Sequence, residues 1–441
     1  MINILFTLII ISSQTRALLE DEQILFSFQM IRHGARAPYD GIKNGVDIYK
    51  ELWISESELT EMGKRMLYLL GVKNRKRYMI DNNTKFLNEY YSPQEIYIKS
   101  TDNNRTIESI YCYLQGLYPN YSEKINEKVK NSSYPPNKKY YKKFEEFLDK
   151  YKMNENRNPL PYNMNIVPIH LIYKADHDFD LYDEELCPYR YQISDKFHKS
   201  EKVLNFVDKI INNTNNLFMD LEPSNNFSFL YEYWTLYKYM DGFFCDDFDL
   251  RNFNYIKNKY GENIVTLLKN YSKEFLDMNY FDVSFSEYDK DIGLVSSSLT
   301  MNNILNWMEN AKNMNENKID KYLKFVIYSA HDSSIGSLDH FMRTALNSSV
   351  EECNFACSRT FELYKKGNEY FVRYLKGDNS IKFNVTYTLF RKKVSDIMWD
   401  NNKIKEYCKY EKNEKKEEKK EKSREKNKGA RSEERRVGKE C

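Results

Sequence analysis

A largely apolar segment, Ile24 to Ile31, runs without a break into RHGARAP, Arg32 to Pro38. The segment predicts a buried strand, and RHGARAP places three charged or titratable side chains where that strand ends. Two guanidiniums beside a histidine supply planar forks of donors that match phosphate oxygens. Their like charge lowers the pKa of His33 between them and favours the neutral imidazole. One ring nitrogen then keeps a lone pair that can attack phosphorus. Gly34 is expected to let the backbone turn sharply after the histidine.

Two further strand-like segments end in the same manner. Glu95 to Lys99 (EIYIK) alternates Ile96 and Ile98 on one face and leads into STDNNRT, in which Arg105 stands before a helix expected from about Ile107 to Leu117, capped by Asp102 or Asn103. Lys321 to Ser329 (KYLKFVIYS) carries a buried run, Phe325 to Tyr328, and ends in Ala330, His331 and Asp332, followed by helical spacing from Ile335 to Ala345. In an open α/β sheet, ligands bind outside the carboxyl ends of the strands. If these three strands are neighbours, Arg32, His33, Arg36, Arg105, His331 and Asp332 converge on one point.

RHGARAP, STDNNRT with GLYP at Gly116 to Pro119, and YSAHDSS at Tyr328 to Ser334 occur in the order seen in the histidine acid phosphatases, a branch of the histidine phosphatase superfamily, and the chain resembles that family over most of residues 24 to 372. Further likenesses are LTEMG at Leu59 with the basic run Arg75 to Arg77 before Tyr78, VPIH at Val167, CPYR at Cys187, FELY at Phe361 and YFV at Tyr370. The departures are modest: Ser333 and Ser334 replace threonines, and Ile292 to Thr300 lacks a glycine-rich pattern. The resemblance implies an α/β fold, a phosphoglycerate mutase-like mixed sheet flanked by helices, with a smaller, mostly helical inserted domain that influences which alcohol carries the phosphate. It implies His33 as nucleophile, Asp332 as proton donor, and Arg32, Arg36, Arg105 and His331 as ligands of the phosphate oxygens, with no metal and no other cofactor. It also implies disulfides between Cys187 and Cys408 and between Cys245 and Cys357, leaving Cys112 and Cys353 unassigned. The segment Leu59 to Tyr78 is expected to be an ordinary surface helix.

The expected organisation is a signal peptide over 1–17, an α/β catalytic domain in two parts, 18–182 and 320–408, a helical insertion over 183–319, and a charged tail over 409–441. Candidate helices in the insertion are Phe206 to Leu217, Tyr231 to Met240, Asn254 to Leu276 and Leu299 to Lys312. The apolar run Ile4 to Ile11 has the size of a signal-peptide core and is too short to span a bilayer. Seven cysteines, six once Cys441 is set aside, and sequons at Asn82, Asn120, Asn131, Asn212, Asn226, Asn270, Asn347 and Asn384 fit an oxidising compartment, lysosomal, vacuolar or secreted. The final RSEERRVGKEC, Arg431 to Cys441, is what one frame of a widely used sequencing adapter encodes, and it is set aside as artefactual. A net charge of +2 gives no argument for nucleic acid. Asp176, His177, Asp178, Asp180 and Asp183 lack the ligand spacing of a zinc motif and read as an acidic loop.

The expected activity is hydrolysis of small phosphate monoesters through a phosphohistidine, with a homodimer as one quaternary option and no membrane span. Phytase-type hydrolysis of inositol phosphates is the alternative, and would need further basic residues such as Lys43 or Lys50 at the pocket. A mutase-like transferase is disfavoured by the His331 and Asp332 pair. A non-catalytic binding protein on the same fold is disfavoured by the presence of all six expected residues.

Overall fold

The computed structural model describes residues 22–39, 55–81, 86–119, 142–143, 145–147, 150, 166–172, 180–181, 187, 189–221, 230–249, 251–285 and 291–408. The expected signal peptide, the charged tail, Lys43, Lys50, Asp176, His177, Asp178 and Asp183 lie outside these residues. In chain order the first half holds β1 (Glu22–Arg32), α1 (Glu61–Arg75) with a π-helical turn over Lys76–Ile80, β2 (Ile96–Ser100), α2 (Asn104–Leu117) and β3 (His170–Leu171). Helices follow: α3 (Tyr189–His198), α4 (Glu201–Leu221), α5 (Tyr233–Asp249), α6 (Arg251–Tyr260), α7 (Glu262–Phe285) and α8 (Ile292–Glu316). The chain then returns through β4 (Phe325–Ala330), α9 (Asp332–Leu346), β5 (Ser358–Lys366), β6 (Glu369–Lys376), β7 (Ile381–Thr386), α10 (Tyr387–Ser395) and α11 (Asn401–Cys408).

The strands form a seven-stranded sheet in the order β3-β2-β4-β1-β5-β6-β7. β3, β2, β4 and β1 pair in parallel, and β5, β6 and β7 continue antiparallel, so the sheet is mixed, as expected. Because side chains alternate across a strand, β4 serves two cores. Phe325 and Ile327 pack with Leu67 of α1 and Ile110, Tyr113 and Leu117 of α2. Val326, Tyr328 and Ala330 pack with Met301 and Ile304 of α8 and with Leu338 and Phe341 of α9. Phe28 of β1 is fully buried in that second core; its truncation to alanine would cost about 3–5 kcal/mol.

The described residues of 183–319 are mostly helical, but two cores share them. The helices α3 to α7 enclose Phe197, Phe206, Phe218, Phe243 and Phe275, whereas α8 lays Met301, Ile304 and Met308 against the sheet. The helix expected from Asn254 to Leu276 is two helices, because Gly261 takes a left-handed φ of 90° and its N–H returns to the Lys257 carbonyl at 2.9 Å, the usual glycine stop. In β3 only His170 and Leu171 join the ladder, beside Lys99 and Ser100.

Two expectations are corrected. Cys187 pairs with Cys408 as the resemblance implies, but Cys357 pairs with Cys353, four residues before it in the turn that enters β5, and Cys245 on α5 remains a buried thiol. The basic run at the end of α1 is only partly surface: Lys76 is exposed, but Tyr78 is buried and the Arg77 guanidinium donates twice to buried Glu362. The π-helical turn there rotates Arg77 and Tyr78 toward the sheet, which a straight continuation of the helical spacing does not predict.

Candidate active site

β1, β4 and β2 are adjacent, with Arg32 beside Ala330 and Ser100 beside Ser329 in the ladder. Their carboxyl ends stop level, so the residues after them meet. The His33 backbone N–H donates to the Ala330 carbonyl at 3.1 Å, and Thr101 N–H donates to the Ser329 carbonyl at 3.1 Å. Gly34 is required for close approach rather than for a turn. Its φ is not left-handed, but a Cβ there would stand 2.4 Å from the Gly63 carbonyl oxygen at the start of α1.

His33 is buried, and its Nδ1 lies 2.9 Å from the Gly34 carbonyl oxygen. A carbonyl only accepts, so the proton sits on Nδ1 and the lone pair on Nε2. Burial first, then Arg32, Arg105, His331 and Arg36, push the His33 pKa well below the ordinary imidazole value. Arg32 pairs with Asp332 at 2.6 Å, donates to the Cys353 carbonyl at 2.6 Å, and stacks its guanidinium over Phe355, 4.6 Å from the ring centre. Arg105 places Nη2 3.4 Å from Nδ1 of His331. The Nε atoms of Arg32 and of Arg105 are buried and have no hydrogen-bond partner among the described residues.

His331 and Asp332 stand at the start of α9, whose N-terminal amides favour an anion. The His331 ring lies 5.7 Å from the His33 ring, and burial, then Arg105, bring its pKa down to about 3. Burial alone would raise the Asp332 pKa, but Arg32, His331 and the Ser333 N–H outweigh it and hold the carboxyl below its ordinary value. All six residues expected at the site are therefore brought together by the three strand ends.

One functional neighbour had no sequence signal. Asp241 of α5 is buried and grips Arg36 with both oxygens, at 2.6 and 3.0 Å, and it also accepts the Tyr39 N–H at 2.8 Å. It lies 205 residues from Arg36 in sequence, in a helix with no recognisable motif. Burial opposes the charge on Arg36, but Asp241 raises its pKa well above the ordinary value. Three guanidiniums thus face two carboxylates, and Arg105 is the cation without a carboxylate partner among the described residues. Burial and Arg36 lower the Arg105 pKa, as expected of a cation awaiting an anion. Asp180 is held by Lys99 at 3.2 Å and by the Tyr328 hydroxyl at 2.6 Å, and no metal-ligand cluster occurs among the described residues.

A mixed sheet with a buried histidine and an excess of guanidinium at its carboxyl edge defines a phosphate-handling α/β enzyme. The profile of the histidine phosphatase superfamily (branch 2) matches residues 24–376, and the chain belongs to that family; it is an enzyme of the phosphoric monoester hydrolase class. Among curated relatives, a lysosomal acid phosphatase of Xenopus laevis is 26% identical over 80% of this chain and 69% of its own length. A prostatic acid phosphatase of Homo sapiens is 24% identical over 80% of this chain and 76% of its own. Among solved structures, the Hafnia alvei phytase in complex with tartrate superposes with a TM-score of 0.52 at 12% identity, covering 86% of this chain and 98% of the phytase, a likeness of fold.

Proposed function

We propose that the protein is an acid phosphatase that hydrolyses phosphate monoesters through a phosphohistidine on His33. The observation that carries this reading is the His33 tautomer: with Nδ1–H donated to Gly34, the lone pair available for attack is on Nε2. Arg105, and the unpartnered Nε of Arg32, offer donors for phosphate oxygens in a buried setting where such donors act strongly. Nε2 forms the bond to phosphorus as the bond to the leaving oxygen breaks, and Asp332 gives that oxygen its proton. Water then attacks the phosphohistidine, Asp332 accepts its proton, and inorganic phosphate leaves. Phosphate monoesters hydrolyse so slowly unaided that accelerations up to ~10²¹ are demanded of such sites. Covalent catalysis with preplaced cations suits that task.

Asp332 must be protonated to act as the acid, and Arg32 holds its pKa low. Its protonated fraction rises as pH falls, and an anionic substrate that draws Arg32 away raises it further. The expected kcat/KM therefore falls toward alkaline pH, and a profile rising in that direction would overturn the Asp332 assignment. The Asp332→Asn variant should slow alkyl phosphates more than nitrophenyl phosphate, whose leaving group needs no proton.

The deciding experiment is a panel at acid pH with nitrophenyl phosphate, phytate, nucleotides and phosphotyrosine peptides, repeated with His33→Ala. Turnover by the wild type with trapped phosphohistidine, both lost in the variant, is the expected result. No turnover of any substrate would mean a binding protein, and a preference for phytate would select the inositol phosphate reading. A secretory-pathway location fits the relatives named above. Among the described residues no helix is long and apolar enough to cross a membrane.

A further inference from the structure

The second histidine has behind it a hydroxyl chain, drawn from STDNNRT, to which the proposed reaction gives no role. Thr101 and Thr106 are fully buried where β2 passes into α2. The Thr101 hydroxyl lies 3.1 Å from Nε2 of His331 and 2.8 Å from the Thr106 hydroxyl, which in turn reaches the carbonyl oxygens of Asn103 at 2.8 Å and Thr101 at 3.0 Å. On the other side of the ring, Nδ1 faces Nη2 of Arg105 at 3.4 Å.

Both ends of this chain have one polarity. A guanidinium can only donate and a carbonyl can only accept. Arg105 therefore requires a lone pair on Nδ1, which in a neutral imidazole puts the proton on Nε2. Nε2–H donates to Thr101, Thr101 donates to Thr106, and Thr106 donates to a backbone carbonyl, so each hydroxyl receives once and gives once. The reverse order would set Nδ1–H against the Arg105 N–H and leave those carbonyls without the hydroxyl. Asn103 is at the N-cap of α2 but makes no side-chain cap. Its amide nitrogen, Nδ2, lies 3.3 Å from the same Nε2, and a half-turn of the amide presents its oxygen to Nε2–H instead.

We propose that Thr101, backed by Thr106, is a positioning residue that holds His331 as the Nε2–H tautomer, so that Nδ1 orients Arg105, the cation left without a carboxylate, toward the phosphate. His33 and His331 are thereby set to opposite tautomers, the first by Gly34 and the second by the threonine pair.

The tautomer is read directly by long-range ¹H–¹⁵N correlation in protein labelled with ¹⁵N-histidine, with His331 assigned by loss of its signals in His331→Gln. The wild type near neutral pH should show His331 as Nε2–H and His33 as Nδ1–H. Thr101→Val should admit the other His331 tautomer and lower kcat/KM by about tenfold, the scale of one lost hydrogen bond, and Thr101→Ser should restore both. An Nδ1–H or charged His331 in the wild type would overturn the proposal, as would a Thr101→Val protein with unchanged tautomer and kcat/KM. The activity arm rests on the phosphatase reading. If no substrate is turned over, that reading fails while the wild-type tautomer still decides this one.

Discussion

The molecule buries two arginine clusters within the same sheet, and they are built to opposite ends. At the carboxyl edge, Arg32, Arg36 and Arg105 face, among the described residues, only the carboxylates of Asp332 and Asp241. Across β1, β5 and β6, Arg77 and Arg373 face Glu362 and Glu22, with Tyr78 donating to Glu362 at 2.7 Å and the Arg373 guanidinium lying 4.5 Å from the Tyr364 ring centre. Among the described residues the second cluster matches two guanidiniums with two carboxylates, and it ties strands to the π-helical turn. The first keeps a cation in excess, which costs stability and creates affinity for an anion. Charge balance, more than burial, separates a structural arginine from a binding one here.

The comparison can be broken most severely at His33. His33→Ala should lower kcat by more than about 10⁴-fold while thermal melting stays near the wild type, since the nucleophile makes no ion pair. Glu362→Gln should do the reverse, losing about 3–5 kcal/mol of stability in denaturant titration because Arg77 and Arg373 lose the buried carboxylate they share, with Glu22 left to Arg373, and with kcat per folded molecule preserved. A large drop in that kcat would show that the structural cluster also shapes the site. Arg105→Ala should lower kcat/KM by about 10²–10³-fold without lowering the melting temperature, because it removes the excess cation. Asp241→Asn should lower kcat by about tenfold through loss of Arg36 orientation, yet leave inhibition by inorganic phosphate at least as strong, since the site becomes more positive. Parallel losses in both would mean that Asp241 supports binding rather than orientation.

The smallest expected effect is one of pH. Arg77 and Arg373 outweigh burial and hold the Glu362 pKa far below the ordinary carboxylate value. A depressed carboxyl contributes stability above its unfolded pKa, about 4.3, and loses that contribution as pH falls toward the folded value. The stability gap between wild type and Glu362→Gln should therefore be full at neutral pH and narrow below about pH 4. A gap independent of pH would mean that the variant acts through packing.

The chain by itself determined that three strands end in charged residues, because burial periodicity and local motifs are properties of neighbouring residues. The strand ends, to within one residue of Arg32, Ser100 and Ala330, and the convergence of the six expected residues were legible for that reason. The tertiary structure decided what depends on partners far away in sequence. Asp241 meets Arg36 across 205 positions, and Glu362 turns Arg77 and Tyr78 from surface residues into buried ones across 285 and 284. The cysteine pairing belongs to the same class, since Cys245, Cys353 and Cys357 offer several connections and only their placement chooses one. So do the histidine tautomers, for RHGARAP and YSAHDSS specify the imidazoles but not the acceptors that decide which nitrogen of each carries its proton.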